Sequence, residues 1–180
     1  VKAEKGAYFL HKKMTLAPHA EKEWMIVANV NPLYTPRELE HQLKDCGAKA
    51  IFIMANFAAT LEKVINITNV KHVVVTQLGD LLGFPKRLIV NFVVKRVKKM
   101  VPPYKLSNTT SIFTVLTEGA DKAFTKPHIN MDDTVFLQYT GGTTGVSKGA
   151  ILTHENMVAN ITQASLWLKS VNSDESIQSV

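Results

Sequence analysis

MIVANVNPLYTPRELEHQLKDCGAKAIFIM, residues 25–54, carries three structural signals in succession. Met25 to Val30 reads as a strand, ended at Asn31-Pro32 because proline has a fixed φ and no N–H to offer a ladder. Thr35-Pro36-Arg37-Glu38 then opens a helix, with Thr35 as N-cap, Pro36 at the first position and Glu38 at the third, a capping-box arrangement. That helix is expected to reach Cys46 and stop at Gly47. Ala50 to Met54 follows as a short buried strand. A helix from about Phe57 to Ile67 and a Val-rich strand from His72 to Thr76 continue the series. Strand, helix, strand, helix, strand favours a parallel sheet with helices on its faces, hence an α/β fold.

The composition bounds what surrounds this stretch. With 180 residues, 46% hydrophobic and 20% charged, 9 Gly and 7 Pro, collagenous and low-complexity chains are excluded and a globular core is expected. Cys46 is the single cysteine, which excludes an internal disulfide or a multi-cysteine metal site and fits a reducing compartment, the cytoplasm by default. No apolar run approaches the ~20 residues of a membrane span; the nearest, Leu88 to Val94, is cut by Asn91. Lys2, Glu4, Lys5, His11, Lys12 and Lys13 interrupt the start, so it lacks the apolar centre of a signal peptide. The chain opens on Val1 rather than Met, which gives the expectation of a fragment. No long repeat and no Ser/Gly-rich linker is present.

Charge is distributed unevenly. The net value is +6, yet no acid lies between Asp80 and Glu118, where Lys86, Arg87, Lys95, Arg96, Lys98, Lys99 and Lys105 fall. On a helix from about Pro85 to Met100, Ile89, Phe92, Val93, Val97 and Met100 share one face. A surface helix docked on the chain's own core is the first expectation; an anionic membrane surface or a partner is the second. Nucleic acid is set aside, because neither zinc-finger spacing nor an aromatic RNA-binding pattern accompanies the charge. Pro102-Pro103 then breaks the chain, Ser111 to Glu118 forms a helix capped by Ser111 or Thr110, and Asp133 to Tyr139 reads as a strand.

That strand leads to YTGGTTGVSKGA, Tyr139 to Ala150. Gly141, Gly142, Gly145 and Gly149 let backbone N–H groups converge on an anion without an intervening Cβ. Thr140, Thr143, Thr144 and Ser147 add hydroxyl donors, and Lys148 adds a mobile charge; Val146 lies between. These are the parts of a triphosphate cradle. A Walker A loop would need Gly directly before Lys and Ser or Thr directly after it, whereas Lys148 stands between Ser147 and Gly149. Glycine spacings of 1, 3 and 4 also differ from the dinucleotide fingerprint. Ala150 to Thr153 looks like a strand, so the loop joins two strands and a helix dipole is not its main anion-holding device. His154, behind Thr153 as N-cap, reads as a packing or capping residue rather than a catalytic one.

YTGGTTGVSKGA resembles the phosphate-binding signature of adenylate-forming enzymes, the AMP-binding superfamily of acyl-CoA synthetases, luciferases and peptide-synthetase adenylation domains. NPLYTPRELEHQLKDCGAKAIF (Asn31 to Phe52), LTHENMVANITQ (Leu152 to Gln163) and the basic helix are similar to the bacterial long-chain fatty-acid–CoA ligases in that superfamily. The resemblance covers about Met25 to Lys169. It implies a partial doubly wound sheet with flanking helices, part of a large N-terminal domain. Residues 1–24 would be a divergent or mis-joined segment and residues 25–180 a partial AMP-binding domain. It further implies an ATP-dependent acid–thiol ligase that uses ATP, Mg²⁺ and coenzyme A to convert a fatty acid into acyl-adenylate and then acyl-CoA. Thr140 to Gly145 would wrap the phosphates and Lys148 would contact the outgoing pyrophosphate.

Departures from the family pattern also matter. Ser147 stands where many members have proline, and Val1 to Trp24 does not look like the helix that leads into the first strand. The family's Mg²⁺-holding acid, ribose-binding aspartate, adenine pocket, acyl tunnel and mobile-domain lysine all follow the phosphate loop, beyond Val180. No catalytic or metal-binding residue is therefore assigned, and the chain alone is expected to be inactive. Two alternatives stand beside the ligase: an inactive truncated product acting at a membrane surface or on a partner through residues 86–99, and an adenylate-forming enzyme for another acid. Cytoplasmic residence, peripheral on the inner face of the membrane, is the expected location.

Overall fold

A computed structural model describes residues 25–140 and 147–177 of the chain, with side chains as far as Lys169. The described residues form two compact units, residues 30–125 with Ser147, and residues 25–29, 126–140 and 148–177.

In the first unit the helix that the capping box announces is α1, Pro36–Asp45. The Thr35 hydroxyl accepts from the Glu38 N–H, and the Glu38 carboxylate accepts from the Thr35 N–H at 2.8 Å and the Thr35 hydroxyl at 2.7 Å. Two amides that a helix start leaves orphaned are thereby satisfied. Cys46 is the C-cap, and Gly47 follows at φ +62°, a left-handed conformation that glycine adopts without a Cβ clash. Leu39 and Leu43, one turn apart, turn inward with Gln42.

They meet β2, Ala50–Met54, whose alternation buries Ile51 and Ile53 and leaves Phe52 exposed. Leu61, Val64 and Val73 complete the apolar cluster. β2 runs parallel to β3, His72–Thr76, which runs parallel to β4, Thr109–Ser111. This sheet, in the order β2-β3-β4, is the α/β arrangement that the alternating pattern implies.

Three expectations are corrected. The helix expected over Phe57 to Ile67 is instead a 3-10 turn at Ala55–Phe57, a short α2 at Ala58–Glu62 and a second 3-10 turn at Ile65–Ile67. The β-branched run Val64, Ile65, Ile67 and Thr68 disfavours a continuous helix, and the Thr68 hydroxyl instead bonds the Ile65 carbonyl. The basic helix is α3, Lys86–Phe92, continued by a π-helical turn at Val93–Val97. Its expected core face does not dock: Ile89, Phe92, Val97 and Met100 are all more than half exposed, and only Val94 is buried in the π-helical turn. Polar links hold this segment instead. The Gly79 N–H donates to the Asn91 carbonyl oxygen at 2.8 Å, the Asn91 amide donates to Asp80 at 2.9 Å, and the Asn56 amide donates to the Met100 carbonyl at 3.0 Å. Finally, the strand expected over Met25 to Val30 narrows to β1, Val27–Asn29, which belongs to the second unit and pairs in parallel with β5, Thr134–Thr140.

α4, Ile112–Ala120, is capped by Ser111, whose hydroxyl accepts from the Thr114 N–H at 3.1 Å. The second unit holds the sheet β1-β5-β6, with β6 at Lys148–Thr153, and α5, His154–Ile177. No described helix is long and apolar enough to cross a membrane.

Candidate functional site: the phosphate-loop hairpin

β5, Thr134–Thr140, and β6, Lys148–Thr153, pair antiparallel, with Gln138 opposite Ala150, Tyr139 opposite Gly149 and Thr140 opposite Lys148. The glycine-rich run therefore joins two strands, as its sequence indicates. Gly141, Gly142, Thr143, Thr144, Gly145 and Val146 lie outside the described residues. Thr140 and Lys148 form the last described pair at the mouth of the loop. Lys148 is exposed and makes no ion pair with a described residue.

The stem is held by packing as well as by its ladder. Tyr139 is buried, and a Cβ added at Gly149 would stand 3.1 Å from two of its ring carbons. Glycine lets the ring lie against the β6 backbone without that crowding. Beneath it, the Asn29 amide donates to the Gln138 carbonyl oxygen at 2.9 Å, tying β1 to β5. Ala150 is exposed on β6.

Two features escaped the sequence reading. Within the first unit, His41 on α1 places Nε2 3.3 Å from the Ser147 carbonyl; a carbonyl only accepts, so the nitrogen facing it carries the proton. Nothing in the helical periodicity of α1 singles out His41. In the second unit Asp133, 1% exposed, accepts from the Asn130 N–H at 2.8 Å, and its own carbonyl accepts from the His154 N–H at 3.1 Å. That turn seats the start of α5. Thr153 caps it, its hydroxyl accepting from the Asn156 N–H at 3.3 Å, so His154 is the first residue of α5, behind the N-cap that the sequence indicates.

Burial raises the Cys46 thiol above its ordinary pKa, which keeps it protonated and poorly nucleophilic at neutral pH. No cluster of three or more His, Cys, Asp or Glu that could hold a metal ion occurs among the described residues. These residues do not fit a Mg²⁺ site, and no step is routed through one.

A Gly/Thr/Lys loop joining the two strands of a hairpin fits a nucleotide-phosphate-binding protein, and the chain belongs to the AMP-binding enzyme family, whose model matches residues 24–179. Among curated relatives it is 58% identical over 144 residues to the long-chain-fatty-acid–CoA ligase of Haemophilus influenzae, covering 80% of this chain and 25% of that protein. To the long-chain-fatty-acid–CoA ligase of Yersinia pestis it is 60% identical over 140 residues, covering 78% and 25%. The chain thus spans about a quarter of the length of these relatives. The fold resembles the adenylation domain of a carboxylate reductase from Mycobacterium chelonae, with TM-score 0.51 and 18% identity over 74% of this chain and 20% of that one.

Proposed function

We propose that the hairpin loop grips the phosphates of ATP in a long-chain fatty-acid–CoA ligase reaction. In the first step a fatty-acid carboxylate oxygen attacks the α-phosphorus, the bond to the bridging oxygen breaks, and pyrophosphate leaves. The thiol of coenzyme A, losing its proton, then attacks the acyl carbonyl, and AMP departs with the electrons of the broken C–O bond. Both steps need offset charge, because a carboxylate approaches a polyanion and a more highly charged leaving group separates. The Thr140–Lys148 pair supports this reading: it brings the one lysine of the loop to its mouth, where an exposed ammonium can meet departing pyrophosphate. Mg²⁺ belongs to the same proposal, held by residues other than the described ones.

The test is calorimetric titration of ATP into the 180-residue chain. Weak binding is expected, weakened a further ~10-fold in Lys148→Ala, the loss of roughly one charge-assisted hydrogen bond. Trapping acyl-adenylate with hydroxylamine should give no product from the chain alone. Equal ATP affinity in the variant, or rapid hydroxamate formation, would remove this reading. The same loop serves ligases of other acids, and no residue of this chain distinguishes them.

The basic segment favours a cytoplasmic protein peripheral on the inner, anionic face of a membrane. Ile89, Phe92, Val97 and Met100 are exposed on the stretch that also carries Lys86, Lys98 and Lys99, a combination that suits an interfacial helix. Co-sedimentation with phosphatidylglycerol vesicles but not phosphatidylcholine vesicles is expected, reduced severalfold by Lys98→Glu/Lys99→Glu. Equal pelleting by all four combinations would exclude it.

A further inference from the structure

The first unit holds a second basic feature, remote in sequence from the phosphate loop. β2, β3 and β4 are parallel and end on one edge, the edge where α/β sheets receive ligands. An open cleft of about 790 Å³ lies there, bounded by Ala55 after β2, by Val75 and Gln77 at the end of β3, and by Thr109 to Ser111 of β4. Lys95 and Arg96 of the π-helical turn line it from the other side. Neither makes an ion pair with a described residue. A third cation stands close by: the Arg87 guanidinium lies 4.7 Å from the centroid of Phe113, itself a lining residue in the first turn of α4.

Among the described lining residues one acid, Asp80, faces the cleft, and neutral donors hold its carboxylate in place. Asp80 accepts from the Gln77 N–H at 2.8 Å, the Asn91 amide at 2.9 Å and the Thr76 hydroxyl at 3.3 Å. It anchors the wall, and one carboxylate against Lys95 and Arg96 leaves positive charge in excess. The wall is rigid where it matters. A Cβ at Gly79 would stand 2.8 Å from the Asn91 side-chain oxygen and 3.0 Å from the Arg87 carbonyl, so β3's exit loop lies directly against α3. Asn56 fixes the far end at Met100.

We infer that this cleft binds a phosphate-bearing ligand. Two cations that ion-pair with no described residue, hydroxyls at Thr109 and Thr110 and the positive end of α4 converge where one carboxylate among the described lining residues opposes them. The volume exceeds that of an inorganic phosphate and falls in the range of organic-ligand pockets. Pro102, Pro103 and Tyr104 offer an apolar wall for the part of the ligand that is not phosphate. A soluble phosphorylated molecule and a phospholipid headgroup share this chemistry.

Pyrophosphate is the probe, titrated into the chain carrying Lys148→Ala so that the hairpin loop contributes little. Amide shifts at Thr110, Ser111 and Phe113 are expected, saturating with one equivalent. Lys95→Gln/Arg96→Gln should weaken binding at least tenfold, while Lys95→Arg retains it; both positions lie on the surface, and circular dichroism checks the fold. Competition by phosphatidic acid vesicles would identify a headgroup as the ligand; persistence of the shifts with vesicles present would identify a soluble one. Unmoved β4 and α4 amides, or unchanged affinity in the double glutamine variant, would overturn the inference. Failure of the hairpin reading is scored separately, by ATP against Lys148→Ala in the otherwise unaltered chain.

Discussion

The Tyr139 ring and Gly149 occupy opposite positions of one hairpin, and a Cβ at 149 would stand 3.1 Å from the buried ring, which must give by a few tenths of an ångström to admit it. Gly149→Ala should lower the chain's stability by about 1–3 kcal/mol, the usual cost of overpacking. Denaturant unfolding measures this, and in a Tyr139→Leu background the penalty should largely vanish; an equal loss in both backgrounds would point to backbone strain instead. Composition gave Gly149 the same role as its neighbours, because a glycine that frees an amide for phosphate and one that admits an aromatic ring look identical in a string. Only the cross-strand register separates them. Asn91 was misleading in a similar way. In the sequence it merely interrupts an apolar run, whereas in the fold it joins Gly79 to Asp80.

At the level of elements, α1 was legible because every determinant is local: cap, proline, apolar spacing and terminating glycine lie within thirteen residues. Thr35→Ala should cost about 1 kcal/mol. Its partner adds a pH dependence. Hydrogen bonds from the Thr35 hydroxyl and N–H hold the Glu38 carboxyl below its ordinary pKa. Between the two values the unfolded chain binds the proton and the folded chain does not, so stability rises with pH across that window. The contribution is present above the ordinary carboxylate pKa and is lost as pH falls through the depressed one. Acid unfolding followed by circular dichroism should therefore flatten in Glu38→Gln over that interval, modestly and less so in high salt, since the group is exposed. An unchanged acid limb would show that the bond is absent in solution. β4 was missed because Thr109–Ser111 is three polar residues with no alternation to read, and its strand identity comes from β3. The π-helical turn was equally invisible, since a chain that keeps helical periodicity in its residue types gives no sign of a widened turn.

Across the whole chain the apolar burial is concentrated rather than shared. The core cluster of Leu39, Leu43, Ile51, Ile53, Leu61, Val64 and Val73 belongs to the first unit. Among the described residues of the second unit only Tyr139 of the large apolar side chains is buried, while Val158, Ile161, Leu166 and Trp167 of α5 are about half exposed or more. Local opening costs least where few apolar contacts must be broken, so exchange of backbone amides should separate the two units. Amides within the ladders of β2 and β3 are expected to exchange slowest. Those of β5 around Phe136 to Gln138, although also in a ladder, should exchange about tenfold faster or more, a gap of roughly 1.4 kcal/mol in opening free energy. Hydrogen exchange read by NMR resolves the two sets. Equal protection would mean that the β1-β5-β6 sheet opens only with the Leu39–Val73 core, and that cross-strand hydrogen bonding rather than apolar burial sets the resistance of the phosphate-loop hairpin.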